Sequence, residues 1–281
     1  MSNSSLLKAK RERRDEYYTL YEDVEKEMRN YSFSGKTVYC PCDDFRWSNF
    51  VKYFRNNFHE LGLNRLIASN YDIGEGAYVY MCDANGEYAF RVDGKGDYRD
   101  YNALRDEADI IVTNPPFSKW RDFFKWARVK DFILLGTLNV CGYKEQAPLI
   151  WADKIRMGWT HRGAGKITFA TRDGGTKTLS STVWLTTLPS LERPPLELTR
   201  RYTPEEYPAY DNYPDVINVN RTKDIPCDYD GLIGVPLSFL NYWNREQFEI
   251  VDGIGVGGYR GDGYVNGERV YSRLVIRRIK K

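Results

Sequence analysis

The chain has 281 residues, with 41 Lys plus Arg against 39 Asp plus Glu and a formal net charge of +2. That length suits one large α/β domain or an ordinary domain with a smaller companion, and a hydrophobic content of 42% excludes wholesale disorder. Near-neutrality argues against a histone-like coat on DNA but leaves room for a local basic surface. No apolar run approaches the ~18 residues of a membrane span. The N-terminal stretch has no apolar signal core, so a cytoplasmic protein without a membrane partner is expected. Five cysteines do not suggest a disulfide framework. The two histidines, His59 and His161, are far apart, and no metal is expected.

In chain order, residues 4–30 read as one helix with Leu6, Leu7, Tyr17, Leu20, Tyr21, Val24 and Met28 available for an apolar face. Its basic cluster, Lys8, Lys10, Arg11, Arg13 and Arg14, is either a solvated face or a phosphate contact. Lys36 to Cys42 reads as a buried strand. A helix follows, with Trp47, Phe50, Val51, Phe54 and Phe58 at helical spacing and assigned to the core. Asn64 to Tyr71 is a second strand, and residues 77–93 form a hairpin turning at Asn85-Gly86. Ala108 to Thr113 is another buried strand that stops at Asn114-Pro115. The next helix carries Trp120, Phe123, Phe124 and Ala127, and Asp131 to Gly136 is a further strand. Alternating strands and helices predict a twisted α/β sheet. After about residue 155 short strands (KITFAT, STVWLTT) alternate with Gly-, Pro- and Tyr-rich loops, which reads as a sheet edge plus an appended module.

The most specific feature is Asn114-Pro115-Pro116-Phe117 at the carboxyl end of the strand DIIVT. Ligands bind at such strand ends in open α/β sheets. A proline-stiffened loop without chemistry is the plainer alternative. The residue types nevertheless match one reaction. The exocyclic amino group of adenine is a poor nucleophile because its lone pair is delocalised into the ring. The amide oxygen of Asn114 and the carbonyl of Pro115 can accept its two hydrogens. Two fixed acceptors favour the pyramidal, nucleophilic nitrogen of the transition state. Phe117 offers a face for the purine. No histidine, metal or covalent nucleophile is required.

The tetrad resembles motif IV of the amino-methyltransferases that use S-adenosylmethionine. More narrowly, the chain is similar to the EcoRI-type adenine-specific DNA methyltransferases. The likeness runs through AKRERRDEYYT, VYCPCDDFRWSNF, GDYRDYNALRDEADIIVTNPPFS, VWLTTL, YPAYDNYPDVINV, DIPCDYDGLIGVPLSFL and VNGERVYSRLVIRR. It implies a Rossmann-like methyltransferase sheet at 1–190 and a smaller target-recognition, DNA-binding region at 191–281. The implied reaction moves a methyl group from S-adenosylmethionine to N6 of adenine in double-stranded DNA, with base flipping. Asn114, Pro115, Pro116 and Phe117 would form the catalytic loop. Tyr18-Thr19, at the end of the N-terminal helix, resembles the element that closes over the cofactor's methionine end. Cys40, Pro41 and Asp43 stand in the first cofactor loop, which runs on through Cys42 and Asp44. Asp72 is the candidate for the ribose hydroxyls, and Asp97 resembles the carboxylate that reads the cofactor's adenine. One departure is plain: residues 40–46 contain no glycine, although such a loop ordinarily has several.

The cysteines Cys40, Cys42, Cys82, Cys141 and Cys227 lack zinc spacing and read as structural. The glycine-rich run Gly253 to Gly258 matches a dinucleotide fingerprint, but too little chain follows it for a cofactor domain, so it reads as a turn between strands. Trp184 and Phe169 are candidates for the second wall of a base pocket. Candidate phosphate contacts are Arg156, Arg162, Lys166, Arg172, Lys177, Arg200, Arg201, Arg273, Arg277, Arg278, Lys280 and Lys281. Three alternatives keep the fold but change the acceptor: cytosine N4, RNA adenine or protein glutamine. A DNA-binding module without catalysis is a further one. The oligomeric state is not fixed by the sequence, a monomer being the expectation.

Overall fold

The computed structural model describes residues 18–160, 166–170, 175–257 and 259–279. These residues fall into two compact units. The first holds 18–136, 158–160, 166–170 and 175–190; the second holds 137–157, 191–257 and 259–279.

The first unit is built on β1 (Tyr18–Thr19), α1 (Tyr21–Met28), β2 (Thr37–Pro41), α2 (Asn49–Asn56), β3 (Arg65–Ser69), β4 (Ala77–Asp83), β5 (Gly86–Val92), α3 (Asn102–Glu107), β6 (Ile110–Thr113), α4 (Trp120–Ala127) and β7 (Asp131–Thr137). Its main sheet runs β5-β4-β3-β2-β6-β7 and continues to the strand Thr182–Thr186. β2 pairs in parallel with β3 on one side and β6 on the other, and β6 pairs in parallel with β7. Every residue of β2 and β6 is buried, as expected of central parallel strands covered on both faces. The expected hairpin is present as β4 and β5, antiparallel with Asp83 opposite Gly86.

The helices pack by the spacing read from the sequence. α2 buries Phe50, Val51, Tyr53 and Phe54, and α4 buries Trp120, Phe123, Phe124, Trp126 and Ala127. Ser48 starts α2: its hydroxyl accepts from the N–H groups of Phe50 (3.2 Å) and Val51 (3.5 Å). Trp47 therefore lies outside the helix and is 37% exposed, which corrects its assignment to the core.

The N-terminal helix also needs correction. Tyr18 and Thr19 form a strand, antiparallel to Phe169 and Ala170. Leu20 is extended (φ −67°, ψ 148°), and the helix begins only at Tyr21. Aromatic and β-branched residues favour the pleated conformation, and here that preference wins over the apolar spacing. The rest of the expected helix, with its basic cluster and Tyr17, lies outside the described residues.

The second unit carries a sheet in the order Ala209–Tyr210, Tyr213–Asn218, Leu232–Pro236, Arg273–Arg278, Phe248–Ile254. Tyr210, Val216, Ile254 and Val275 form a buried cluster on it. This half is more regular than its sequence texture suggests. Its strands are short and separated by long Pro-rich connections, so no hydrophobic period builds up along the chain. Gly255 (φ +62°) and Gly257 (φ +61°) turn the chain after Ile254. That is the turn expected of the glycine-rich run, whose Gly258 is outside the described residues. Among the described residues no helix is long and apolar enough to cross a membrane.

One buried acidic side chain ties together elements of the first unit. Glu27 of α1 is fully buried. Its carboxylate accepts from the Tyr31 hydroxyl (2.6 Å), the N–H groups of Trp159 (2.8 Å) and Thr160 (2.7 Å), and the Thr160 hydroxyl (2.5 Å). Removing it takes the carboxyl acceptor away from the N–H groups of Trp159 and Thr160, and each lost bond of this kind costs about 1–3 kcal/mol. Glu27→Ala should lower the unfolding free energy by about 3 kcal/mol in denaturant titration. A loss below about 1 kcal/mol would show that these bonds contribute little.

Candidate active site

The cleft lies where the chain reverses direction along the sheet. From β2 it moves outward to β3, then returns to place β6 on the other side of β2. The loops leaving β2 and β6 therefore diverge, and the carboxyl ends of the strands open a crevice between them. A cleft of about 430 Å³ occupies this point, within the range of small-molecule sites.

The loop after β2 forms its floor. Cys42 has φ +65°, the left-handed conformation that glycine ordinarily supplies. The loop thus makes the glycine turn without a glycine. Asp43 follows, buried, with its N–H bonded to the Ser69 carbonyl of β3 (2.9 Å). Its carboxylate accepts from Ser48 Oγ (2.6 Å) and meets Thr113 Oγ1 (2.6 Å). Burial pushes the Asp43 carboxyl up to about 7, although the hydrogen bond donated by Ser48 opposes the rise. Asp44 is held by the Arg46 guanidinium through Nε (2.8 Å) and Nη2 (2.6 Å). The same guanidinium lies over the Trp47 ring, 4.3 Å from its centroid.

The exit of β3 and the turn before α3 supply the opposite wall. Asn70 is buried; its amide donates to the Gly76 carbonyl (3.0 Å) and accepts from the Tyr78 N–H (2.9 Å). Gly96 packs against it at φ +65°, where an added Cβ would lie 2.3 Å from the Asn70 carbonyl oxygen, so only glycine fits. Asp97 comes next and lines the cleft. Its carboxylate accepts from Arg99 Nε (2.8 Å) and Nη2 (2.8 Å), which holds it below the usual carboxylate range and ionised. Each carboxylate oxygen has two lone pairs, so Arg99 does not exhaust its accepting capacity.

Asn114, Pro115, Pro116 and Phe117 leave β6 along the third side. Asn114 Nδ2 is turned toward Thr19 Oγ1 (3.4 Å), and the Thr19 carbonyl accepts from Asn49 Nδ2 (2.8 Å). α2 thereby holds β1 beside the tetrad.

One cleft brings together Thr19, Asp43, Asp97, Asn114, Pro115, Pro116 and Phe117. Other predicted residues stand apart. Cys40 is buried in β2 and does not line the cleft, and Pro41 contributes a carbonyl that accepts from Thr113. Asp72 does not line it either. Its carboxylate accepts from the N–H groups of Gly74 (2.7 Å) and Gly76 (2.9 Å) and from Lys95 (3.2 Å), which hold it down to about 2. It braces its own loop. Tyr18 belongs to β1, and its side chain is outside the described residues. Phe169 and Trp184 are buried core residues, not a pocket wall. Several candidate phosphate contacts are engaged internally: Arg156 with Asp153, Arg200 with Asp224, Arg277 with Glu249, Arg273 with Asn220 and Arg278 with the Cys227 carbonyl. Arg201 is exposed. Arg162, Arg172, Lys280, Lys281 and the side chains of Lys166 and Lys177 lie outside the described residues. Among the described residues, no three His, Cys, Asp or Glu side chains cluster as a metal would require.

The model of the family described as "Adenine-specific methyltransferase EcoRI" matches residues 5–278. The chain belongs to that family. It is 39% identical to the Type II methyltransferase M.EcoRI of Escherichia coli, over 98% of this chain and 97% of that protein. It is 32% identical to the Type II methyltransferase M.MpnI of Mycoplasma pneumoniae, over 96% and 97%. M.MgeORF184P of Mycoplasma genitalium, also a Type II methyltransferase, is 30% identical over 96% and 98%. The chain is thus an adenine-specific methyltransferase, and its sheet is the Rossmann-like sheet of such enzymes.

The cleft also holds residues that the sequence patterns did not assign to a site: Trp47, Asn70, Tyr71 and Lys119. Trp47 and Tyr71 are each 37% exposed, and Lys119 Nζ lies 5.1 Å from the Tyr71 ring centroid. A signal for Trp47 did exist. Ser48 followed by an apolar helical run is an N-cap, which puts Trp47 outside the helix.

The strained Cys42 yields a test. Cys42→Gly should keep or raise stability, by up to about 1 kcal/mol, because glycine adopts positive φ without penalty. Cys42→Val should lower it by about 1–2 kcal/mol in thermal or denaturant unfolding. The reverse order would show that the turn does not demand positive φ.

Proposed function

We propose that this enzyme takes its methyl group from S-adenosylmethionine and places it on N6 of an adenine extruded from double-stranded DNA. The observation that carries this reading is one cleft shared by Asn114, Pro115, Pro116 and Phe117 with the ionised Asp97 and the exposed rings of Trp47 and Tyr71. That donor set fits the methyl donor. A carboxylate suits its adenine amino group or ribose diol, and the aromatic rings suit its purine. Asp97 is the acceptor we assign, and Asp72 has no part in binding. When bound, S-adenosylmethionine supplies an electrophilic methyl group on a sulfonium.

The chain's own residues then prepare the target. Asn114 accepts one hydrogen of the adenine amino group through its amide oxygen, and Pro115 accepts the other through its carbonyl. Both acceptors are fixed before the reaction, Asn114 by Thr19 and the β6 end, Pro115 by the following proline. Holding both hydrogens draws the nitrogen lone pair out of conjugation. Phe117 stacks on the extruded base and so offsets part of the unstacking cost. Residues 191–281 are assigned to reading the DNA sequence, since the first unit is occupied by the cleft. Tyr271, 89% exposed, is a side chain there with a free face for a base.

Asn114→Ala should lower methylation by about 100- to 1,000-fold, the usual effect of losing one preorganised group. Its affinity for S-adenosylhomocysteine, measured by calorimetry, should stay within about threefold. Near wild-type methylation, or a product other than N6-methyladenine in nucleoside analysis, would contradict the assignment. The two aspartates are separable in the same titration. Asp97→Ala should weaken binding at least about tenfold, as for a lost hydrogen bond to a charged group. Asp72→Ala should change it less than about threefold; the opposite ranking would restore Asp72 as the contact.

A further inference from the structure

Three oxygens stand in a row where β2 and β6 end. Thr113 Oγ1 lies 2.5 Å from the Pro41 carbonyl oxygen and 2.6 Å from Asp43 Oδ2. The other oxygen of that carboxyl, Oδ1, takes the proton of the Ser48 hydroxyl at 2.6 Å. The direction of that bond is fixed, because Ser48 Oγ already accepts from the Phe50 and Val51 N–H groups at the start of α2. Protons can therefore be counted. The Pro41 carbonyl brings none and Thr113 brings one. Two contacts at hydrogen-bond distance need two protons. An ionised Asp43 would leave one contact as lone pair against lone pair, in a buried place where that repulsion is costly. A neutral carboxyl supplies the missing proton: Asp43 Oδ2–H donates to Thr113 Oγ1, and Thr113 Oγ1–H donates to Pro41.

We propose that Asp43 is a proton-bearing positioning residue, whose bond to Thr113 fixes the strand end that carries Asn114 against the cofactor loop. This rests on the reading of Asn114 as catalytic. Asp43 lines the cleft, but the role assigned to it is exerted through Thr113 and not on the reacting atoms. Its electrostatic surroundings agree. Burial is the largest influence and pushes the carboxyl up to about 7, and Asp44 on the same loop adds to the rise. Cys40 on β2 is the other titratable group coupled to it, its own thiol driven upward by burial and by Asp43. Ser48, at the start of α2, and Thr113 of β6 each present a hydroxyl to it. The ordinary carboxyl value is 3.8. The folded chain thus keeps a proton that the unfolded chain loses. The stability this gives is complete below pH 3.8 and is lost as pH rises toward about 7.

The test compares Asp43→Asn with Asp43→Ala in the full chain, by steady-state methylation of DNA. An asparagine donates through its amide and accepts through its carbonyl, as the neutral acid does, and cannot ionise. Asp43→Asn should exceed Asp43→Ala in kcat by at least about tenfold, with the KM for S-adenosylmethionine of the two within about threefold. In denaturant titrations the wild-type chain should lose stability between about pH 4 and 7, and Asp43→Asn should abolish that fall. Equal kcat for the two variants, or an unchanged pH slope, would overturn the proposal. If Asp43→Ala does not fold, the Thr113 pair decides. Thr113→Val, which keeps the shape, should lose at least about tenfold in kcat, and Thr113→Ser should restore most of it. A Thr113→Val enzyme with wild-type kcat would equally overturn the proposal. Failure of the underlying reading is distinct, because it appears as an active Asn114→Ala enzyme.

Discussion

The cleft depends on the parallel pairing of β2 with β6. Val38 lies opposite Ile110 and Tyr39 opposite Ile111, and the ladder is closed at its carboxyl end by the Thr113 hydroxyl on the Pro41 carbonyl. Each strand then releases a loop that carries chemistry: Cys42 to Trp47 from one, Asn114 to Phe117 from the other. Their separation is set by strand spacing and not by loop chemistry. The strands are buried along their whole length, so the constraint comes from the core of the first unit. A site built on such elements holds its groups more accurately than one built on loops alone. Prolines at 115 and 116 extend that rigidity past the end of the ladder.

Carboxylates around this juncture divide by environment. Asp43, desolvated beneath the cleft, is driven up toward neutrality. Asp97, clasped by Arg99, is held down and stays charged. Asp72, bound by two backbone N–H groups and a lysine, is held down to about 2. One charged carboxylate thus faces the cleft for a polar ligand, one is spent on a loop, and one carries a proton between two strands. The chain's near-zero net charge hides this arrangement. Asp44 and Asp97 line the cleft, and Arg46 and Arg99 pair with them locally instead of adding to a basic surface. The shortage of histidine has the same origin, since an amide, a carbonyl and an aromatic face need no group that titrates near pH 7.

Much of the first unit was legible because its signals are local. Continuous apolar runs marked β2, β6 and β7, an Asn-Gly turn marked the hairpin, and the position of Asn114 after an apolar strand located the tetrad. Asp97 was found through likeness of its neighbourhood, and it does line the cleft. What was illegible depends on three-dimensional partners. Asp72 reads as an acceptor for the ribose hydroxyls and Asp97 as one for the cofactor's adenine; the N–H groups of Gly74 and Gly76 show that the first is engaged within its own turn. Cys42 carries no sign in the sequence that it replaces a glycine, because positive φ is a property of the fold. Tyr18 and Thr19 were drawn into a helix by apolar spacing, yet their pairing with Phe169 and Ala170 spans 150 residues and decides otherwise. In the second unit strands remote in sequence pair with one another, which no short window reveals.

We place the methyl donor in the cleft at the ends of β2 and β6 and not at the glycine-rich turn after Ile254. Hydrogen–deuterium exchange of the full chain, with and without S-adenosylhomocysteine, tests this most directly. The expected result is slowed exchange at residues 42–50, 70–73, 96–98 and 114–119, with the amides of residues 253–257 unchanged. Protection centred on residues 253–257, with none in the four cleft segments, would contradict it.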